Sequence, residues 1–336
     1  MASDRPRSMI RLRVWITLAA TAFVCVAGGL LLTYLLRDVD WAVVGQAGLA
    51  ALIPITLLTI IGTVCYVLLI YVLVRGSGHQ ASVWRAYLVL TASLTANYVT
   101  PINAAIPLRV YLYRSMMGIP VTQGMALVTV ETLVGILVPA LISVAGIALL
   151  FPDLGLIAPI VLILCLTGGT VLILLLPFGR LTPRLEHLPL APLLARLANY
   201  ASQFQLGLHQ LSPLTIMTVI GLNLLMLLVQ GWRLWLVLKV FSTPPSLLTT
   251  SIILSMSITA GNISLIPLGL GVRDASLTLL LLRVGISQEV ALSAAVIQRL
   301  FAPGWPLLLG LISTSILGVQ ALADQNHRED ESNSET

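Results

Sequence analysis

The stretch SLLTTSIILSMSITA (Ser246–Ala260), followed by Gly261-Asn-Ile-Ser-Leu-Ile-Pro-Leu-Gly-Leu-Gly271, decides how this chain folds. Its 15 uncharged residues make a helix of roughly 22 Å, short of the ~30 Å hydrocarbon core of a bilayer. Gly261, Pro267, Gly269 and Gly271 then arrive in one short run, and both residue types interrupt helices. Unwound backbone at membrane depth is tolerated only where protein or a wet cavity satisfies its polar groups. The same shape occurs earlier, where the 15 residues Ala86–Thr100 meet Pro101, Asn103 and Pro107. Two re-entrant helical hairpins are therefore expected, one around each break.

The rest of the chain supplies the membrane that these hairpins enter. Of 336 residues, 58% are hydrophobic and 9% charged, with a mean hydropathy of +1.00. A soluble domain carries about a quarter charged residues. That excludes a soluble enzyme, a disordered chain and a nucleic-acid binder, although the pI is near 9.4. Val14–Leu36 holds 23 uncharged residues behind Arg5, Arg7, Arg11 and Arg13. It is too long for the apolar part of a signal peptide and reads as an uncleaved first span. Further spans are expected at Gly48–Val74 (bent at Pro54), Val121–Leu150, Leu156–Phe178, Leu214–Val240 and Ile286–Val319. The fold class is thus an all-α polytopic membrane protein with about six transmembrane helices plus two re-entrant hairpins, which hydropathy counts as eight spans. A basic N-terminus (1–13) precedes one transmembrane domain (14–320), and an acidic tail (321–336) reads as disordered.

Charge orients the spans. With both termini cytoplasmic, 11 of the 18 basic residues fall inside and three outside, with four in the membrane. Counting each hairpin as two crossings gives the same termini. A multi-pass protein of the cytoplasmic membrane follows. The long polar connection, 179–213, carries an apolar stripe over 191–211 and is expected to hold an amphipathic helix on the cytoplasmic face.

An internal repeat underlies this order. Asn97, Pro101, Arg109, Gly118-Ile119 and Glu131 correspond to Asn262, Pro267, Arg273, Gly285-Ile286 and Arg299. Repeat 1 runs over about 48–150 and repeat 2 over about 214–320. The first hairpin opens from the cytoplasm and the second from outside, so the copies are inverted, a recurring plan of transporters.

Ionisable residues inside spans are costly and mark function by default. Glu131 and Arg299 lie deep in their spans, and Arg109, Arg273 and Asp274 follow the broken segments. Ion pairing among them is one reading. The other uses the surplus of positive charge beside half-helix ends, where amides and arginine forks favour phosphate. Arg233, flanked by Trp232 and Trp235, reads as an interfacial arginine snorkelling outward. Asn97, Asn103, Asn223, Gln230 and Asn262 either line a cavity or bridge helices. Cys25, Cys65 and Cys165 sit in apolar runs and the four histidines are scattered, so neither a metal nor another cofactor is expected.

Gly261–Asp274, followed by Gly285-Ile286, Ala291 and Arg299, resembles the transmembrane region of lysylphosphatidylglycerol synthases, a flippase-like family that also includes stand-alone members. The family pattern there is proline, Gly-Leu-Gly-Val-Arg-Glu and a span with a deep arginine; Asp274 replaces the glutamate. In the first repeat the Gly-Glu before the arginine is Ala105-Ile106-Pro107, and Glu131, Thr132 and Gly135 replace Glu-Arg…Asp. The resemblance implies translocation of a lipid head group and no lysyl transfer, because the soluble aminoacyl-transferring domain is missing.

The expectation is a flippase or scramblase, not an enzyme, for an anionic phospholipid or a polyprenyl-phosphate-linked lipid. Arg109, Arg273, Arg299, Glu131 and Asp274 would bind the head group. Asn97, Pro101, Asn103, Pro107, Asn262, Pro267, Gly269 and Gly271 would form the hairpins and cavity. Two alternatives stand beside it: an accessory subunit working with envelope biosynthesis enzymes, and a lipid-linked glycosyl transferase. The second lacks the paired carboxylates such chemistry uses.

Overall fold

A computed structural model describes residues 41–99, 105–152, 210–241, 244–264 and 271–334, with the single positions 161, 205 and 207. The expected span Val14–Leu36, nearly all of Leu156–Phe178 and of the 179–213 connection, and Pro101, Asn103, Pro267 and Gly269 lie outside the described residues.

Eight helices carry the described fold: α1 (Trp41–Gly76), α2 (Val83–Val99), α3 (Ala105–Met117), α4 (Val121–Leu150), α5 (Pro213–Phe241), α6 (Leu247–Ile263), α7 (Val272–Arg283) and α8 (Gln288–Ser334). Helix is the form in which an apolar segment satisfies its own backbone away from water. Four stretches are long and apolar enough to cross a membrane: Leu52–Gly76 of α1, all of α4 and α5, and Gln288–Ile316 of α8. The 17-residue α2 and α6 reach only about 26 Å each. Each folds back against a shorter successor, α3 and α7.

Local signals set the ends. Ser82, Ser212 and Ser246 precede α2, α5 and α6, and each hydroxyl accepts the backbone N–H three residues on, at 3.1 Å. Gly118 and Gly285 close α3 and α7 with φ of +69° and +87°, a region that side chains other than glycine rarely enter. The isoleucine after each returns its N–H to the last turn, Ile119 to Tyr113 and Ile286 to Leu281. The Gly-Ile pairs of the sequence repeat are thus matching helix stops.

Three expectations need correction. α6 continues through Gly261 and Asn262 to Ile263, because one glycine costs a helix only about 1 kcal/mol. Pro107 belongs to the first turn of α3, where a missing N–H removes no helical bond. α8 runs past the expected span end at Val319 to Ser334; Ala321, Leu322, Ala323 and Gln325 favour helix, and an existing helix extends without a new nucleus.

α1 and α5 pack antiparallel at the centre. Gly76 meets Thr215, Gly62 meets Val229, and Thr59 meets Arg233, so the partner number falls as the first rises. Around this pair, α2 packs on α8 and α6 on α4. These crossings are also antiparallel: Thr91 hydrogen-bonds Ser313 at 2.7 Å while Thr95 reaches the Pro306 carbonyl at 3.4 Å. Ser143 hydrogen-bonds Thr259 at 2.9 Å while Gly146 lies against Ile252 and Met256. Exchanging α1–α4 for α5–α8 carries the α1–α5 pair onto itself and the α2–α8, α2–α3, α1–α2 and α3–α4 pairs onto α4–α6, α6–α7, α5–α6 and α7–α8. Two apolar clusters fill the halves. One joins α1–α4 with the start of α5; the other joins the end of α5 with α6–α8 and Ile55 of α1.

Candidate functional site

Glu131 sits on the eleventh position of α4, about 15 Å from its start, and is only 6% exposed. α3 turns back along α4 and brings Arg109, 5% exposed, onto its Oε1 as an ion pair. Arg109 is held on its other edge by Ser93 of α2, whose Oγ accepts from Nε at 3.0 Å and Nη2 at 2.9 Å. Ser93 in turn donates to the Leu90 carbonyl at 2.9 Å. Tyr66 of α1 donates its hydroxyl to Glu131 Oε1 at 2.6 Å, and the Arg109 guanidinium lies 5.8 Å from the centre of its ring. Four helices thus supply this cluster. Its two loose ends are Glu131 Oε2 and the Tyr113 hydroxyl, both enclosed and without a hydrogen-bond partner.

The second half carries a corresponding pair with its polarity reversed. Here the short helix α7 supplies the anion, Asp274, and the long helix α8 the cation, Arg299. Asp274 also accepts the Gly271 N–H at 3.3 Å, at the positive end of α7. This pair is less sealed, with side chains 22% and 30% exposed. Arg273 is half-buried beside it on the first turn of α7.

Arg233 overturns its expected place at an interface. It is 4% exposed and donates from Nε to Gln298 of α8 at 2.8 Å and from Nη1 to Thr59 of α1 at 3.2 Å. Flanking tryptophans gave the wrong cue because Trp232 and Trp235 lie on other faces of the helix, Trp232 exposed and Trp235 bonded to the Pro245 carbonyl.

The structure therefore brings Arg109 together with Glu131 and Arg299 with Asp274. Arg109 makes its contacts with α1, α2 and α4. Asn97 lies in the last turns of α2, Asn262 is exposed near the end of α6, and Gly271 precedes α7 with φ +80°. Asn223 is buried on α5. Sequence reading missed Tyr66, Ser93 and Tyr113 around the first pair, and Thr59 and Gln298 around Arg233. A signal existed for the tyrosines: a phenol within an apolar segment needs a polar partner when buried. Among the described residues there is no grouping of three or more His, Cys, Asp or Glu side chains suited to a metal ion.

A family model described as the lysylphosphatidylglycerol synthase TM region matches residues 13–310 of the chain. No curated protein matches it.

Proposed function

We propose, on the premise that this chain belongs to the family of lysylphosphatidylglycerol synthase transmembrane regions, that it moves an anionic lipid head group between leaflets. The family makes it a membrane protein of lipid metabolism or transport type. The step to a flippase or scramblase of the cytoplasmic membrane is our inference. One observation carries it: an arginine–carboxylate pair deep at the α3–α4 junction and its counterpart at the α7–α8 junction. In each, a carboxylate occupies an arginine fork that also suits phosphate.

The Arg299–Asp274 pair is the accessible one, beside Arg273 and the amino end of α7, where helix amides favour anions. A phosphate displacing Asp274 there would leave that carboxylate to water and the Gly271 amide. Arg109 would receive the head group on the other side of the cycle. The antiparallel packing of α1 on α5 supports reading the halves as inverted copies that rock about the site, with acyl chains left in lipid. No bond in the lipid is made or broken, so the activity is transport. Phospholipid and polyprenyl phosphate share the chemistry that the arginines recognise.

The test is leaflet transfer in reconstituted vesicles holding fluorescent phosphatidylglycerol or, separately, a fluorescent polyprenyl phosphate, with an impermeant quencher outside. Quenching should pass the outer-leaflet half for one of these lipids. Arg299→Ala should slow it at least tenfold without loss of folded protein. Transfer no faster than in protein-free vesicles for both lipids would reject the reading.

A further inference from the structure

The sealed pair differs from the accessible one in a way that bears on energy. Glu131 is the single ionisable residue of α4, and among the described residues its ion pair is with Arg109. Its Oε1 receives two donors while Oε2 receives none. An enclosed acceptor without a donor is destabilising. Among the described residues, no other cation is placed to replace Arg109. α1 presents Tyr66, and α3 presents Arg109 and Tyr113, with Tyr111 and Arg114 exposed. α6 has no titratable side chain. Of the two on α5, Arg233 is engaged by Thr59 and Gln298, and Lys239 lies 5.0 Å from the Trp235 ring.

A phosphate that takes Arg109 would therefore leave an ionised carboxylate sealed in a pocket without its counter-charge. Such a state is costly, and a buried acid avoids it by binding a proton. We propose that Glu131 takes up one proton at Oε2 when an anionic head group displaces it from Arg109, so that lipid and proton bind together. The new O–H bond forms on Oε2 at the expense of a hydronium ion in water. Oε2 is the enclosed oxygen that has no donor in the resting pair. Charge in the enclosure balances throughout: Arg109⁺ with Glu131⁻ before, Arg109⁺ with one phosphate charge and neutral Glu131 after. Asp274 needs no such proton, because it is partly exposed and accepts a backbone N–H.

This rests on the proposed function and names the ion coupled to it. The measurement is proton uptake by purified protein in weak buffer, with a pH dye, as short-chain phosphatidylglycerol is added; binding is followed separately by intrinsic tryptophan fluorescence. Wild type and Glu289→Gln, which removes an exposed carboxylate outside the site, should take up about one proton per lipid bound, and affinity should rise up to tenfold per pH unit lowered. Glu131→Gln should bind lipid with no uptake and no pH dependence. Should Glu131→Gln fail to fold, Tyr66→Phe keeps the ion pair but takes one donor from the carboxylate, and should carry proton uptake to higher pH. Binding without uptake in wild type, unchanged uptake in Glu131→Gln, or an unmoved pH range in Tyr66→Phe overturns the proton site and leaves transport standing. Absence of both binding and leaflet transfer overturns both.

Discussion

Arg233 is the residue whose surroundings differ most from what its neighbours in the chain imply. Its hydrogen bonds to Gln298 and Thr59 tie α5 to α8 and α1. Arg233→Ala would leave the enclosed Gln298 carbonyl and Thr59 hydroxyl short of a donor, and such losses cost about 1–3 kcal/mol each. A clear drop in thermal unfolding temperature in detergent is expected, with Arg85→Ala as the exposed control, expected within about 0.5 kcal/mol of wild type. An unchanged melting temperature for Arg233→Ala would show that these bonds contribute nothing net. The deep positions of Glu131 and Arg299 were legible in sequence because a charge in an apolar run stands out. Their partners were harder to see. Ser93 and Gln298 look like ordinary polar residues until distant helices are laid beside them, and pattern along one helix carries no information about which neighbour it meets.

At the scale of elements, the sequence was informative about interruptions and less so about their edges. The two short helices, their successors and the Gly-Ile stops follow from proline, glycine and length. The exact extents do not, since Ser82 draws α2 three residues earlier than Ala86 and packing carries α6 past Gly261. The crossings between halves were illegible, because small residues there look like any others in a hydrophobic span. Gly310 lies so close to α2 that a Cβ would land on Thr95 Oγ1 and near the Thr91 carbonyl. On α4, a Cβ at Gly146 would come within 2.5 Å of Ile252 and 2.6 Å of the Met256 sulfur. Gly310→Leu is expected to destabilise by more than the usual 1–3 kcal/mol of an overpacked core, since backbone blocks the space. Gly146→Leu should fall nearer that range because flexible Met256 can yield. Gly221→Leu, with open space around it, is the control. Equal melting temperatures for the three variants would rule out close packing at these crossings.

For the whole molecule, the proposed rocking requires the two halves to slide at α2–α8 and α4–α6. Thr91 and Ser313 face each other at one of these, Ser143 and Thr259 at the other. In a background with Cys25, Cys65 and Cys165 replaced, the pairs Thr91→Cys with Ser313→Cys and Ser143→Cys with Thr259→Cys should each stop leaflet transfer on oxidation and recover on reduction. Full transfer with the cross-links closed would show that the crossings do not move. The exchange pattern of packing has a second consequence, for biogenesis. The seat of α2 is built from residues near 306–313, which leave the ribosome more than 200 residues after it. The opening half must wait in the bilayer with the hydroxyls of Thr91 and Thr95 ungreeted by their eventual neighbours. A settled shape for the opening half is therefore reached only after α8 has emerged, and a chain stopped short of α8 would be left clasping at nothing.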